Sequence, residues 1–310
     1  MRVGNLAGRA VLVHGNRGLD IGRASDGRFP SDPQQLVEQW DGLRAWAEAA
    51  PVDDGTPMDP GAFGPPVPRP RQIFAVGLNY ADHVEEAGLT VPDHALVFTK
   101  FVSSLTGPNE PVVIASPTVD WEVELVVVVG REAHCLNEEA AWGSVAGVMV
   151  GQDLSDRTVQ MQGEPPQFSL GKSFPGFGPI GPAVVSVDEL ADPDDLELGC
   201  SVNGVTMQAS RTSAMIFGVP ELMGRLSSIC TLYPGDLIFT GTPGGTNGSR
   251  EDPRYLHPGD ELVSWITGVG ELRNVMLGAP GPSSPTLSAT AEPSPSPSPS
   301  FVDPSGKELS

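Results

Sequence analysis

The stretch Asp120-Trp-Glu-Val-Glu-Leu-Val-Val-Val-Val-Gly130 decides how the rest of this chain is read. Its Val-rich half reads as a β-strand, and on a strand side chains two apart face the same side, so Glu122 and Glu124 point into one space. A second apolar run, Val145-Ala-Gly-Val-Met-Val150, leads into Gly151-Gln-Asp-Leu-Ser155. If the two runs are neighbouring strands, Asp153 brings a third carboxylate to the same space. Three carboxylates that close do not all stay ionised without a cation. No Cys or His shares the spacing, so the all-oxygen set suits a hard divalent ion, Mg²⁺ or Mn²⁺ with Ca²⁺ as a further option, better than zinc. The plain alternative is that both glutamates form the solvated face of a half-buried strand.

Working outward, a chain of 310 residues with 39% hydrophobic content is long enough to bury a sizeable core. Its formal charge of −21 disfavours nucleic acid and anionic membrane as partners, because a phosphate surface needs a basic stripe and none is visible. No secretion leader and no apolar run of membrane-spanning length stand out, so a cytoplasmic location is expected. Cys135, Cys200 and Cys230 are odd in number and scattered, which indicates neither a disulfide framework nor a thiolate metal site.

Composition divides the chain into four parts. Residues 1–65 open with a short apolar segment and a helix-like stretch, and form the expected small N-terminal domain. Residues 66–72 are Pro-rich and read as a linker. Residues 73–278 hold many short β-like runs separated by Gly and Pro, with few helices, the clearest being 81–87 and 219–227; the expected class is α+β and β-dominated. Residues 279–310 are a Pro/Ser-rich segment expected to be disordered.

Three further constellations carry chemistry. In Gly77-Leu-Asn-Tyr-Ala-Asp-His83 a strand gives way to a helix on which His83 and Glu86 are i and i+3 neighbours. A carboxylate beside an imidazole makes a base and its orienter, although an ordinary surface helix pair has the same spacing. Lys172, in the Gly/Pro/Phe-rich loop Gly171-Lys-Ser-Phe174, suits an anionic substrate or a developing oxyanion; the bland reading is a surface lysine lying along its loop. The segment Pro234-Gly-Asp-Leu-Ile-Phe-Thr-Gly-Thr-Pro243 ends in a Gly-rich loop that offers backbone N–H groups and threonine hydroxyls to an anion, or is a simple turn between strands.

The order and wording of these pieces resemble the fumarylacetoacetate hydrolase family. The resemblance runs from about residue 73 to 277 and rests on the quoted motifs together with Phe98-Thr-Lys100, Gly178-Pro-Ile-Gly-Pro182, Val202-Asn-Gly204 and Thr212-Ser-Ala-Met-Ile-Phe217. It implies a mixed β-sandwich roll as the catalytic domain, usually in a homodimer. It also implies that Glu122, Glu124 and Asp153 bind the metal, that His83, Glu86 and Lys172 are catalytic, and that Lys100, Gln208, Arg211 and Thr242 contact substrate. Ser155-Asp-Arg-Thr-Val-Gln160 lacks the second acid of its motif, which leaves the metal ligand untouched; in the substrate loop Arg211 stands where many members have Asn and Ala214 where Asp is common, which bears on substrate identity.

The activity implied first is divalent-metal-dependent hydrolysis of a C–C bond in a small 2-oxo or 1,3-dicarbonyl acid, through a metal-bound enolate. In it His83 activates water and Lys172 meets the developing charge. Decarboxylation, or isomerisation or tautomerisation of an oxaloacetate-like acid, is the alternative on the same residues. A protein that only binds a cation or metabolite would have no use for a base, which places an enzyme ahead of a binding module.

Overall fold

The computed structural model describes residues 1–279 apart from Ala87, Ala115, Gly248, Ser249, Glu251 and Asp252. All of the expected disordered segment but Ala279 therefore lies outside the described residues, as does the final residue of the expected 81–87 helix. The Val-rich run forms the strand Val123–Val129, every residue of it buried. It pairs antiparallel with Val145–Gln152 on one side and with Leu237–Phe239 on the other. Burial on both faces explains why the strand is continuously apolar from Leu125 onward instead of alternating. Val123, Leu125, Val127 and Val129 enter one hydrophobic core, whereas Val126 and Val128 enter a second. Each fully buried valine adds about 1.5–3 kcal/mol relative to exposure, so this strand is a large part of what holds the fold.

The first core lies between a twelve-stranded mixed sheet, which contains these strands, and a five-stranded sheet that includes Glu197–Val202, Val205–Arg211, Glu261–Ile266 and Gly270–Gly278. The fold is strand-dominated and mixed, as expected. The second core is closed by the N-terminal residues. Arg2–Leu6 pairs antiparallel with Gly178–Val185, and Val3, Leu12, Leu36, Trp40 and Leu43 pack with Val126, Val128 and Met149. As a result the first 65 residues, read from sequence as a small domain, extend the same sheet, and Met1–Ala279 forms one compact unit. The helix-like stretch divides into Pro33–Leu36, a 3-10 turn and Trp40–Ala47. Asp32 caps the first of these by accepting from the Gln34 N–H, which satisfies a donor that a helix start otherwise leaves open.

Candidate metal and acid–base site

Strand register assembles the site. Val123 lies opposite Gln152 and Glu124 opposite Gly151, so the chain just beyond the second strand falls beside the chain just before the first. The Asp153 N–H donates to the Glu122 carbonyl at 2.9 Å. Glu122, Glu124 and Asp153 are all buried, and each offers a carboxylate oxygen within 4.8 Å of the others. The solvated-face reading of the glutamates is thereby excluded.

Cations surround two of the three acids. The Lys172 ammonium donates to Glu122 Oε2 at 2.6 Å, Asp153 Oδ2 at 2.7 Å and Ser155 Oγ at 2.8 Å. Lys172 itself is buried, and Gly171 beside it is a close approach: a Cβ there would stand 2.5 Å from the Gln160 backbone nitrogen. Lys100 Nζ donates to Asp153 Oδ1 at 2.6 Å, to the Phe177 carbonyl at 3.2 Å and to the Lys172 carbonyl. With its side chain fully enclosed, Lys100 props Asp153 and the Lys172 loop from within. Arg157 reaches Asp120 Oδ2 at 2.6 Å and Glu122 Oε1 at 2.7 Å.

The charges do not cancel. The linked network holds four carboxylates, Asp120, Glu122, Glu124 and Asp153, against three cations, Lys100, Arg157 and Lys172. Burial acts to raise the Glu122 carboxyl, but Lys172 and Arg157 overcome it and hold Glu122 well below the usual carboxylate range. Glu124 has no ion-pair partner among the described residues; burial, then the charges of Asp153 and Glu122, pushes it well above its ordinary value. Its Oε2 accepts from the Gly241 N–H at 2.7 Å. Gly241 has φ +99°, and a Cβ there would stand 2.7 Å from the Asn79 Cβ, so the contact needs glycine. An ionised Glu124 would leave this buried network one negative charge in excess, and with oxygen donors at close quarters that fits a hard divalent cation as the compensating charge.

The Gly-rich loop is anchored to the same strand. Thr242 Oγ1 donates to the Val123 carbonyl at 2.9 Å, and Gln208 donates to Thr242 Oγ1 while accepting from the Val123 N–H at 2.9 Å. Both side chains are buried beside the start of the acidic stretch. Arg211, in contrast, is exposed and pairs with Asp195 at 2.6 Å. No contact among the described residues ties it to the acids.

The helix Ala81–Glu86 brings His83 within electrostatic reach of Glu122, Arg157 and Lys172. Burial lowers the His83 pKa, partly opposed by Glu122, with Arg157 and Lys172 lowering it further. The shift favours the uncharged imidazole, the form with a free lone pair that can act as a base. Its Nδ1 is buried and has no hydrogen-bond partner among the described residues. Glu86 Oε2 accepts from the Gly245 N–H at 2.8 Å, linking this helix to the Gly-rich loop. Sequence reading missed Arg157, Asp120 and Ser155. Asp120 and Ser155 flank the acids in sequence, and Arg157 is one of only 18 basic residues, which is the signal that was there to be used.

Residues 72–277 match the fumarylacetoacetate hydrolase C-terminal domain. The chain belongs to the fumarylacetoacetate hydrolase family. It is 39% identical over 272 residues, 85% of each chain, to a mitochondrial oxaloacetate tautomerase of Bos taurus. It is 41% identical over 226 residues to a 2,4-didehydro-3-deoxy-L-rhamnonate hydrolase of a Sphingomonas species, spanning 72% of this chain and 78% of that one. Among solved structures, a maleylpyruvate hydrolase of a Sphingobium species in complex with manganese(II) ion and pyruvate has TM-score 0.75 and 27% identity, covering 90% of this chain and all of that one. The relatives named here are two hydrolases and a tautomerase. Among the described residues no helix is long and apolar enough to cross a membrane.

Proposed function

We propose that this chain is a divalent-metal-dependent enzyme that moves a proton on the carbon beside the keto group of a small anionic 2-oxo acid. The observation that carries this reading is the buried acid triplet together with the His83 imidazole that interacts with it, whose Nδ1 has no hydrogen-bond partner among the described residues. Glu122, Glu124 and Asp153 would hold Mg²⁺ or Mn²⁺, with Ca²⁺ the third option; each carboxylate keeps oxygen lone pairs for an ion beyond the hydrogen bonds it already accepts. The ion would supply Lewis acidity at the keto oxygen, making the neighbouring carbon acidic.

His83 is the base in this reading, with Glu86 fixing its helix against the Gly-rich loop. It accepts a proton from the substrate carbon, or from water in a hydrolysis, and returns it at a second atom. Lys172 keeps Glu122 and Asp153 in place and adds positive charge at the wall of the site, which favours an anionic substrate. Thr242 and Gln208 set the position of the Gly-rich loop on the substrate side. Lys100, expected to contact substrate, is better assigned the positioning of Asp153.

Tautomerisation of an oxaloacetate-like 2-oxo acid is the reaction supported first, by the likeness to oxaloacetate tautomerases over most of both chains. C–C hydrolysis of an acylpyruvate, which the sequence put first, is the second reading, supported by the structural likeness to maleylpyruvate hydrolase. Incubation with Mn²⁺ and either oxaloacetate or an acylpyruvate separates them. A mass-neutral decay of enol absorbance on oxaloacetate is the expected result. Two carboxylic products from the acylpyruvate, with oxaloacetate untouched, would replace it with the second reading. Inactivity on both would remove the reading altogether.

A further inference from the structure

Five buried polar side-chain atoms have no hydrogen-bond partner among the described residues: Asn5 Oδ1, Trp40 Nε1, Tyr80 OH, His83 Nδ1 and Asn274 Oδ1. Asn5 and Asn274 each bond through the other end of the amide, and Trp40 belongs to the core closed by the N-terminal residues. The other two fall together. The Val84 N–H donates to the Tyr80 carbonyl, so Tyr80 immediately precedes the helix that carries His83, three residues further on.

Tyr80 is positioned through the residue before it and by a bridge of its own. The Asn79 amide donates to the carbonyls of Phe217 and Thr240, while its oxygen accepts from the Phe217 N–H. Tyr80 also bridges antiparallel to Met215. The same Asn79 packs against Gly241, whose N–H holds Glu124. The ring is completely buried, and after burial Glu124 is the charge that acts most strongly on its hydroxyl, followed by Asp82. A buried donor with no acceptor among the described residues, joined through Asn79 and Gly241 to the one triplet acid that lacks an ion pair there, is an arrangement suited to a bound oxygen.

We propose that Tyr80 is a further ligand-contacting residue of this site, its hydroxyl donating to an oxygen bound alongside Glu124. The inference rests on the metal-site reading above. That oxygen belongs either to a water in the cation's shell or to the substrate's carboxylate or keto group; the chemistry is the same, and an experiment separates the two. Nothing in it requires Tyr80 to ionise, since burial keeps the phenol protonated.

The test is Tyr80→Phe, which deletes the oxygen and keeps the ring. Melting of the metal-free variant is expected to match the wild type or rise, because the lost hydroxyl has no protein partner. Calorimetric titration with Mn²⁺ alone, then with pyruvate in saturating Mn²⁺, reads the contact directly. A roughly threefold to tenfold weaker Kd for Mn²⁺ places the acceptor on a water of the ion. An unchanged Mn²⁺ Kd with a comparable weakening for pyruvate places it on the substrate. Unchanged values for both, or a lowered metal-free Tm, would overturn the inference while leaving the metal site standing. Failure of the wild type to bind Mn²⁺ would instead sink the metal reading, and this one with it.

Discussion

Arg157 and Arg211 make ion pairs of the same length in opposite surroundings. Arg157 lies 2.6 Å from Asp120, with the carboxylate fully enclosed and the guanidinium nearly so; Arg211 lies 2.6 Å from Asp195, with both partners in solvent. The guanidinium–carboxylate chemistry is identical, so the difference is burial. Water screens the outer pair and leaves it worth little, whereas the inner pair sits where an uncompensated charge is expensive. Arg157 also touches Glu122, so removing it disturbs the acid triplet, while removing Arg211 disturbs only the end of a strand.

Three substitutions sharpen or break that comparison. Arg157→Ala leaves Asp120 and Glu122 buried beside one cation fewer and is expected to cost about 3–5 kcal/mol in chemical denaturation. A loss below about 1 kcal/mol would mean that the inner pair behaves like a surface one. His83→Ala tests the chemistry above the network instead of the network itself: turnover is expected to fall roughly 10²-fold or more with Mn²⁺ affinity unchanged. Near wild-type turnover would move the base elsewhere. Arg211→Ala should change stability by about 1 kcal/mol or less, and KM for the active 2-oxo acid little. A tenfold rise in KM would restore Arg211 to the substrate contacts that its sequence position suggested.

The contrast also shows what a sequence can and cannot carry. The strand Val123–Val129 and the helix Val219–Ser227 were legible because apolar pattern and length are local properties. The acid triplet was legible because Glu122 and Glu124 are two apart and Asp153 follows the next apolar run. What spacing does not contain is strand register and depth. Nothing in Ser155-Asp-Arg-Thr says that Arg157 reaches back to Asp120, or that Lys100 is enclosed beneath Asp153. Likewise the N-terminal 65 residues look separable, because the pairing of Arg2–Leu6 with Gly178–Val185 spans most of the chain. Arg211 was named for its place in a motif, and its partner Asp195 lies on a neighbouring segment that the motif does not include.

The central claim is that the charge excess at Glu124 is the seat of a divalent cation. Thermal melting of wild type and Glu124→Gln with and without Mn²⁺ tests it most directly, since a ligand that binds only the folded state raises Tm by mass action. The wild type should gain several degrees in millimolar Mn²⁺, and Glu124→Gln, which keeps the shape but removes the charge, should gain little or nothing. A wild type insensitive to Mn²⁺, or a variant that responds equally, would contradict the account.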